Sequence, residues 1–120
     1  MPIERIEPGS RMSRVVVHGD TVYVSGHVPD DPSADVAGQT RQVLARLEAS
    51  LALAGSDKSQ LLAATVYLRD IAHFEQMNAV WDAWVDRANP PARACVEARL
   101  AKPEFLVEIV AVAARARAQT

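Results

Sequence analysis

The sequence predicts an α+β domain in two layers, a mixed β-sheet with two helices on one face. Short runs rich in β-branched residues stand beside two longer stretches of helical periodicity, the two kinds follow one another as ββαβαββ, and no segment repeats. The 120 residues, 49% of them hydrophobic, suit one domain spanning 1–120 with a real core. Each crossover between helix and strand returns the chain to the same side, so one face of the sheet stays bare. In a chain this small, another copy is the simplest cover for that face.

The first two strands are SRVVVH (13–18) and TVYVSG (21–26), joined by Gly19-Asp20 as a tight hairpin. VPDDPSAD (28–35) carries two prolines and several capping residues, and reads as a loop that ends at a helix start. From Val36 the apolar positions Val43, Leu44, Leu47, Leu51 and Ala54 form a helical stripe, with Gly55 as the residue just past the end. LLAATVYL (61–68) is short and nearly all apolar, which suits a buried strand. A second helix follows with the stripe Phe74, Met77, Trp81, Trp84, Val85 and Ala88, stopped by Pro90-Pro91. PPARACVEARL (90–100) then supplies an alternating strand, Lys102-Pro103-Glu104 a turn, and 106–114 the last strand.

Composition excludes several functions. Thirteen Lys and Arg against fifteen Asp and Glu give a net charge of −2, and the basic residues are spread out, so generic nucleic-acid binding is disfavoured. A single cysteine cannot form an internal disulfide, and no basic segment leads into an apolar run as in a secretory signal; a reducing cytosol is the expected compartment. No apolar run approaches the roughly 20 residues of a membrane span, so a soluble protein is expected. There is no Gly-rich phosphate loop, no paired cysteines, no HExxH and no GxSxG, so neither a metal nor a nucleotide cofactor is indicated. The two tryptophans fit the helical stripe better than a base-stacking platform.

Arg93, just after a rigid Pro-Pro, can present its planar fork to a carboxylate, or it can be an ordinary surface arginine. Arg99 shares its parity and receives no role. Cys95 could be activated by the neighbouring cation, yet no base is evident among His18, His27 and His73, and an inert thiol is the preferred reading. Glu108 interrupts the apolar strand FLVEIVAVAA; it is either a proton carrier near Arg93 or half of an interface or core salt bridge. Asn78 shares the helical face of Phe74 and Trp81, where its amide requires hydrogen bonds, to a ligand or to backbone. At Ser25-Gly26 the missing side chain could let a ligand approach the backbone, although a strand-end turn explains it equally well.

Taken together, TVYVSGHVP, MNAVWDAWV and PPARACVEARLAKPEFLVEIVAVA resemble the Rid, or YjgF-type, family of reactive-intermediate deaminases over almost the whole chain. The most specific part is P-x-R-x-C-V-E, then L-x-x-P and V-E-I-x-x-V-A, which in that family forms two neighbouring strands lining a cleft between subunits. The tandem tryptophans point to the short YoaB-like branch. The resemblance implies a YjgF and chorismate-mutase-like fold assembled as a homotrimer, helices outside, with active sites between subunits. It also implies hydrolysis of 2-enamine and 2-imine acids to a 2-keto acid and ammonia, with no cofactor. By that resemblance Arg93 grips the substrate carboxylate, the Cys95 backbone helps hold substrate or water, Glu108 stands by the hydrolytic water, and Ser25, Gly26 and Asn78 line the site. Met12 occupies the position of a site tyrosine, so a hydroxyl able to hydrogen-bond water is missing. Two other functions stay open: a small-carboxylate sensor that binds keto acids without turnover, and RNA cleavage, which the charge balance disfavours.

Overall fold

Residues 1–116 are described by the structure, a computed structural model. Six strands form one mixed sheet: β1 (Ile3–Pro8), β2 (Ser13–His18), β3 (Thr21–His27), β4 (Leu61–Leu68), β5 (Ala92–Glu97) and β6 (Val107–Ala114), in the order β1-β2-β3-β6-β4-β5. Among the described strands only β4 and β5 run parallel. Two α-helices, α1 (Val36–Leu53) and α2 (Phe74–Trp84), pack on one face, as the alternation of elements predicts. The last of the described strands, β6, is therefore central, held between β3 and β4.

Helix α1 starts where the loop rich in capping residues ends and stops at the glycine expected there. Asp35 accepts a hydrogen bond from the Gly38 N–H at the N-terminus. At the other end Gly55 adopts φ +75, the Gly55 N–H donates to the Ala52 carbonyl and the Ser56 N–H to that of Leu51. This double bond is the Schellman arrangement, which satisfies two otherwise orphaned carbonyls. The stripe Val43, Leu44, Leu47, Leu51 and Ala54 is buried against β3 and β6, whose inward residues Val22, Val24, Ile109 and Ala111 are equally buried. Three polar residues lie in the same stripe. The Gln39 side chain donates to the carbonyls of Pro32, Ala34 and Glu104 and accepts from the Leu106 N–H, so one amide ties the loop that follows β3 to the segment that leads into β6. Thr40 returns its hydroxyl to the Val36 carbonyl, and Ser50 belongs to the site below.

Three expectations need correction. The N-terminal strand β1 adds a sixth strand, so the order is βββαβαββ. It is an edge strand, exposed apart from Ile6, and IERIEP has too many charges to read as a strand from composition. Helix α2 ends at Trp84 rather than at Pro90, because Val85 turns extended (ψ 145) and Asp86 accepts from both the Ala88 N–H and the Asn89 side chain, building a turn. Lys58 donates to the Trp84 carbonyl and closes that helix end, while Ala88 is exposed. Finally, β5 and β6 are not neighbours; β4 lies between them. Among the described residues no helix is long and apolar enough to cross a membrane.

Candidate active site

Register decides where each candidate side chain points. Arg93 and Cys95 are paired with Ala64 and Val66, which are buried under the helices, so both face the helix layer. Glu108 is paired with Tyr67, between the buried pairs Leu68–Val107 and Val66–Ile109, so it faces the opposite, bare side. The expected meeting of Arg93 and Glu108 does not occur within one chain: a strand separates them and their parities oppose.

Arg93 sits on a shelf built by α2. Its guanidinium lies 5.0 Å from the centroid of the Trp81 ring and 5.9 Å from that of Phe74, and its Nη1 reaches the Met77 sulfur at 3.9 Å. Aromatic faces attract a cation without neutralising it. Among the described residues, Arg93 forms no ion pair. Its charge is thus oriented and unspent at the edge of the sheet, which argues against the ordinary surface arginine. Trp81 is buried and meets Trp84 at 5.5 Å, so both tryptophans serve packing. Cys95 packs against the core beside this shelf; burial pushes its thiol up, with Arg93 opposing, so the sulfur is no activated nucleophile. Asn78 lies on the same helical face as Phe74 and Trp81. Its Oδ1 is buried and lacks the hydrogen bond that the sequence reading required of it.

The second group centres on a β-bulge. Val24 pairs with Ala111 and His27 with Ile109, so Ser25 and Gly26 together oppose Val110. The bulge brings the Gly26 backbone beneath Glu108: a Cβ on Gly26 would stand 2.1 Å from Glu108 Oε2. Only glycine leaves room for that carboxylate. Desolvation raises the Glu108 pKa above the ordinary carboxylate value, as a proton carrier requires. The Ser25 hydroxyl donates to the Arg14 carbonyl at 2.9 Å, so its work is to pin the bulge.

Behind the bulge, His27 is buried, its Nε2 2.6 Å from Ser50 Oγ, which also accepts from Arg14 Nε at 2.8 Å; Arg14 reaches Glu7 at 3.3 Å. This network was missed from sequence, although a serine at a buried helical position was its signal. Burial lowers the His27 pKa below 6.5, with Arg46 and Arg14 acting in the same sense. The unfolded chain therefore takes up a proton first, and this group's stabilising effect is complete above about pH 6.5 and lost as pH falls from there to its folded pKa. Glu108 acts oppositely: its contribution declines as pH rises from 4.5 through its raised folded pKa. His27→Gln is expected to flatten the fall of the unfolding temperature between about pH 7.5 and pH 5.5. An unchanged fall, measured by thermal unfolding, would assign the acid sensitivity elsewhere.

Met12 lies in the hairpin between β1 and β2 and is 58% exposed. By strand spacing, β1 and β5 are roughly 24 Å apart, so Met12 and Arg93 are at opposite edges. The candidates thus fall into three places in one chain: Arg93, Cys95 and Asn78 at one edge, Ser25, Gly26 and Glu108 at the centre, and Met12 near the other edge.

The mixed six-stranded sheet with two helices on one face is an α+β domain of the architecture seen in solved YjgF family structures. The chain belongs to the YjgF/Rid family: the family model described as Endoribonuclease L-PSP matches residues 2–115. A RutC family protein of Haemophilus ducreyi is 46% identical over 112 residues, covering 93% of this chain and 96% of the relative. The RutC family protein YoaB of Escherichia coli is 45% identical over 114 residues, covering 95% and 99%. A crystal structure of a YjgF family member from Neisseria meningitidis superposes with a TM-score of 0.95 at 45% identity, covering 98% of both chains.

Proposed function

We propose that the protein hydrolyses 2-imino and 2-enamino acids to 2-keto acids and ammonia, at sites completed between copies of a homotrimer. The observation that carries this reading is the Arg93 guanidinium on its aromatic shelf, without an ion pair among the described residues and a ready fork for a small carboxylate. Because Arg93 and Glu108 face opposite ways, one copy supplies the carboxylate grip and the next supplies the proton carrier. The bare face supports the assembly, since Val16, Tyr23, Tyr67, Val96, Val110 and Val112 share it and Tyr23 is 48% exposed.

In the reaction, Arg93 holds the substrate carboxylate and ionised Glu108 takes a proton from water as its oxygen attacks the iminium carbon. Glu108 returns that proton to the nitrogen of the carbinolamine; as the C–N bond breaks, the carboxylate takes the hydroxyl proton and passes it to the departing ammonia. One water is consumed, the C–N bond breaks, a C=O forms, and ammonium leaves. Protonated imines are already electrophilic, so positioning and one proton shuttle suffice. Nothing here calls for a cofactor.

The test is a coupled assay in which an amino-acid oxidase generates imines in turn, with semicarbazide competing for them. Wild-type protein is expected to suppress semicarbazone and release ammonia. Keto-acid binding by calorimetry without faster ammonia release would establish the sensor instead, and salt-sensitive cleavage of RNA would establish the nuclease. Site sharing has its own test. Co-refolding equal amounts of Arg93→Ala and Glu108→Gln chains is expected to restore about a quarter of wild-type activity, since about one random interface in four joins two intact halves. No recovery above either parent would sink the shared site.

A further inference from the structure

At the carboxyl ends of the parallel strands β4 and β5 lies a cavity of about 570 Å³. It shares no lining residue with the Arg93 shelf or the Glu108 bulge. The chain leaves β4 toward the helix layer and leaves β5 back across the sheet to β6, so the two strand ends diverge and open a crevice. Ligands in sheets with parallel strands favour such places, where successive connections part.

Arg69, Asp70, Glu97 and Arg99 all line this crevice, yet among the described residues none of them is ion-paired. Three are held instead by backbone. Glu97 Oε1 accepts from the Ile71 N–H at 3.0 Å, Asp70 Oδ1 accepts from the Ala72 N–H at 2.9 Å, and Arg69 Nη1 donates to the Lys102 carbonyl at 3.4 Å. Each carboxylate keeps a second oxygen available. His73 also borders the space, and its Nδ1 is buried without a partner. Two cations and two anions cancel, so the crevice has little net attraction for a simple anion or cation. Opposite charges that line one crevice without pairing with one another, three of them tied to backbone, match a small molecule that carries both.

We propose that this crevice is a second small-molecule site that binds a free amino acid. The α-carboxylate meets Arg69 and Arg99 and the ammonium meets Asp70 and Glu97. Ala98 and Leu106 supply an apolar wall that favours a small neutral side chain. The site would let the level of an amino acid be sensed on the same protein, and it stands independently of imine hydrolysis.

The experiment is calorimetry on the full chain with L-alanine, N-acetyl-L-alanine and L-alanine methyl ester, the last two each lacking one charge. L-alanine is expected to bind saturably, and both blocked forms to bind at least about tenfold more weakly. Arg99→Gln and Glu97→Gln are each expected to weaken L-alanine about tenfold, while Arg93→Ala leaves it unchanged. Should Glu97→Gln impair folding, as thermal unfolding would reveal, Arg99→Gln decides alone, because among the described residues Arg99 makes no side-chain hydrogen bond and no ion pair. Absence of saturable L-alanine binding overturns the proposal, as does equal binding of the N-acetyl form. Loss of binding in Arg93→Ala with Arg99→Gln intact also overturns it, by moving the ligand to the imine site.

Discussion

Arg93→Ala is expected to lower kcat/KM for imine hydrolysis roughly 30- to 1,000-fold, equivalent to about 2–4 kcal/mol, while the protein stays folded. The size follows from losing a charge-assisted, two-pronged grip on the substrate carboxylate in a partly desolvated place. Stability should change little. The side chain gives up two ring contacts and a sulfur contact, about 0.5–1 kcal/mol for a cation over aromatic faces. Arg93→Lys keeps the charge but not the planar fork, so it should recover only part of the loss. If the arginine only binds, KM rises and kcat holds; if it also orients the imine against water, both move. Cys95→Ala is expected to change kcat/KM by less than about threefold, since its raised thiol pKa leaves the sulfur no chemical part. Equal losses in the two variants, with unfolding temperatures near wild type, would mean that the strand's shape and not the guanidinium is what matters.

Gly26→Ala is expected to cost about 10²–10⁴-fold in kcat with only a small loss of stability. The added methyl would occupy the place of Glu108 Oε2, 2.1 Å away, and would press on its Cδ at 3.1 Å. Backbone strain does not enter, because the φ of Gly26 lies outside the left-handed region. What yields is the end of a flexible side chain, so the carboxylate swings away and the fold survives. A pH–rate profile adds a signature that general damage would not give: the limb set by Glu108 should move toward the ordinary carboxylate range as the group becomes more solvated. Wild-type turnover in a folded Gly26→Ala protein would remove Glu108 from the mechanism.

How far the sequence could be read varied with the reach of the interactions involved. Helix α1 was legible from Asp35 to Gly55 because its cap, its stripe and its C-terminal glycine are all local. Strand β1 was not, since an edge strand owes its existence to β2 and can be as charged as IERIEP. The end of α2 depended on the Asp86 turn and on Lys58, which is 26 residues from Trp84. For the site, Arg93, Cys95 and Glu108 could be named, and their parities could be counted along each strand. Yet Ala94 and Val96 were the apolar parity of β5, and it is the other parity that turns to the helices. Which face a strand shows, and that β4 intervenes between β5 and β6, come from long-range pairing that no window of sequence contains.

The position of β6 has a consequence for how the protein is made. It is the last of the described strands and it lies in the middle of the sheet, pairing Val22 with Ala113 and Val66 with Ile109. During synthesis β3 and β4 therefore wait, each with a raw edge, until residues 107–114 have left the ribosome. The chain closes its sheet by inserting a strand between two others, a step dominated by distant contacts and correspondingly slow. Glu108 travels on that strand and reaches Gly26 only when the insertion is complete.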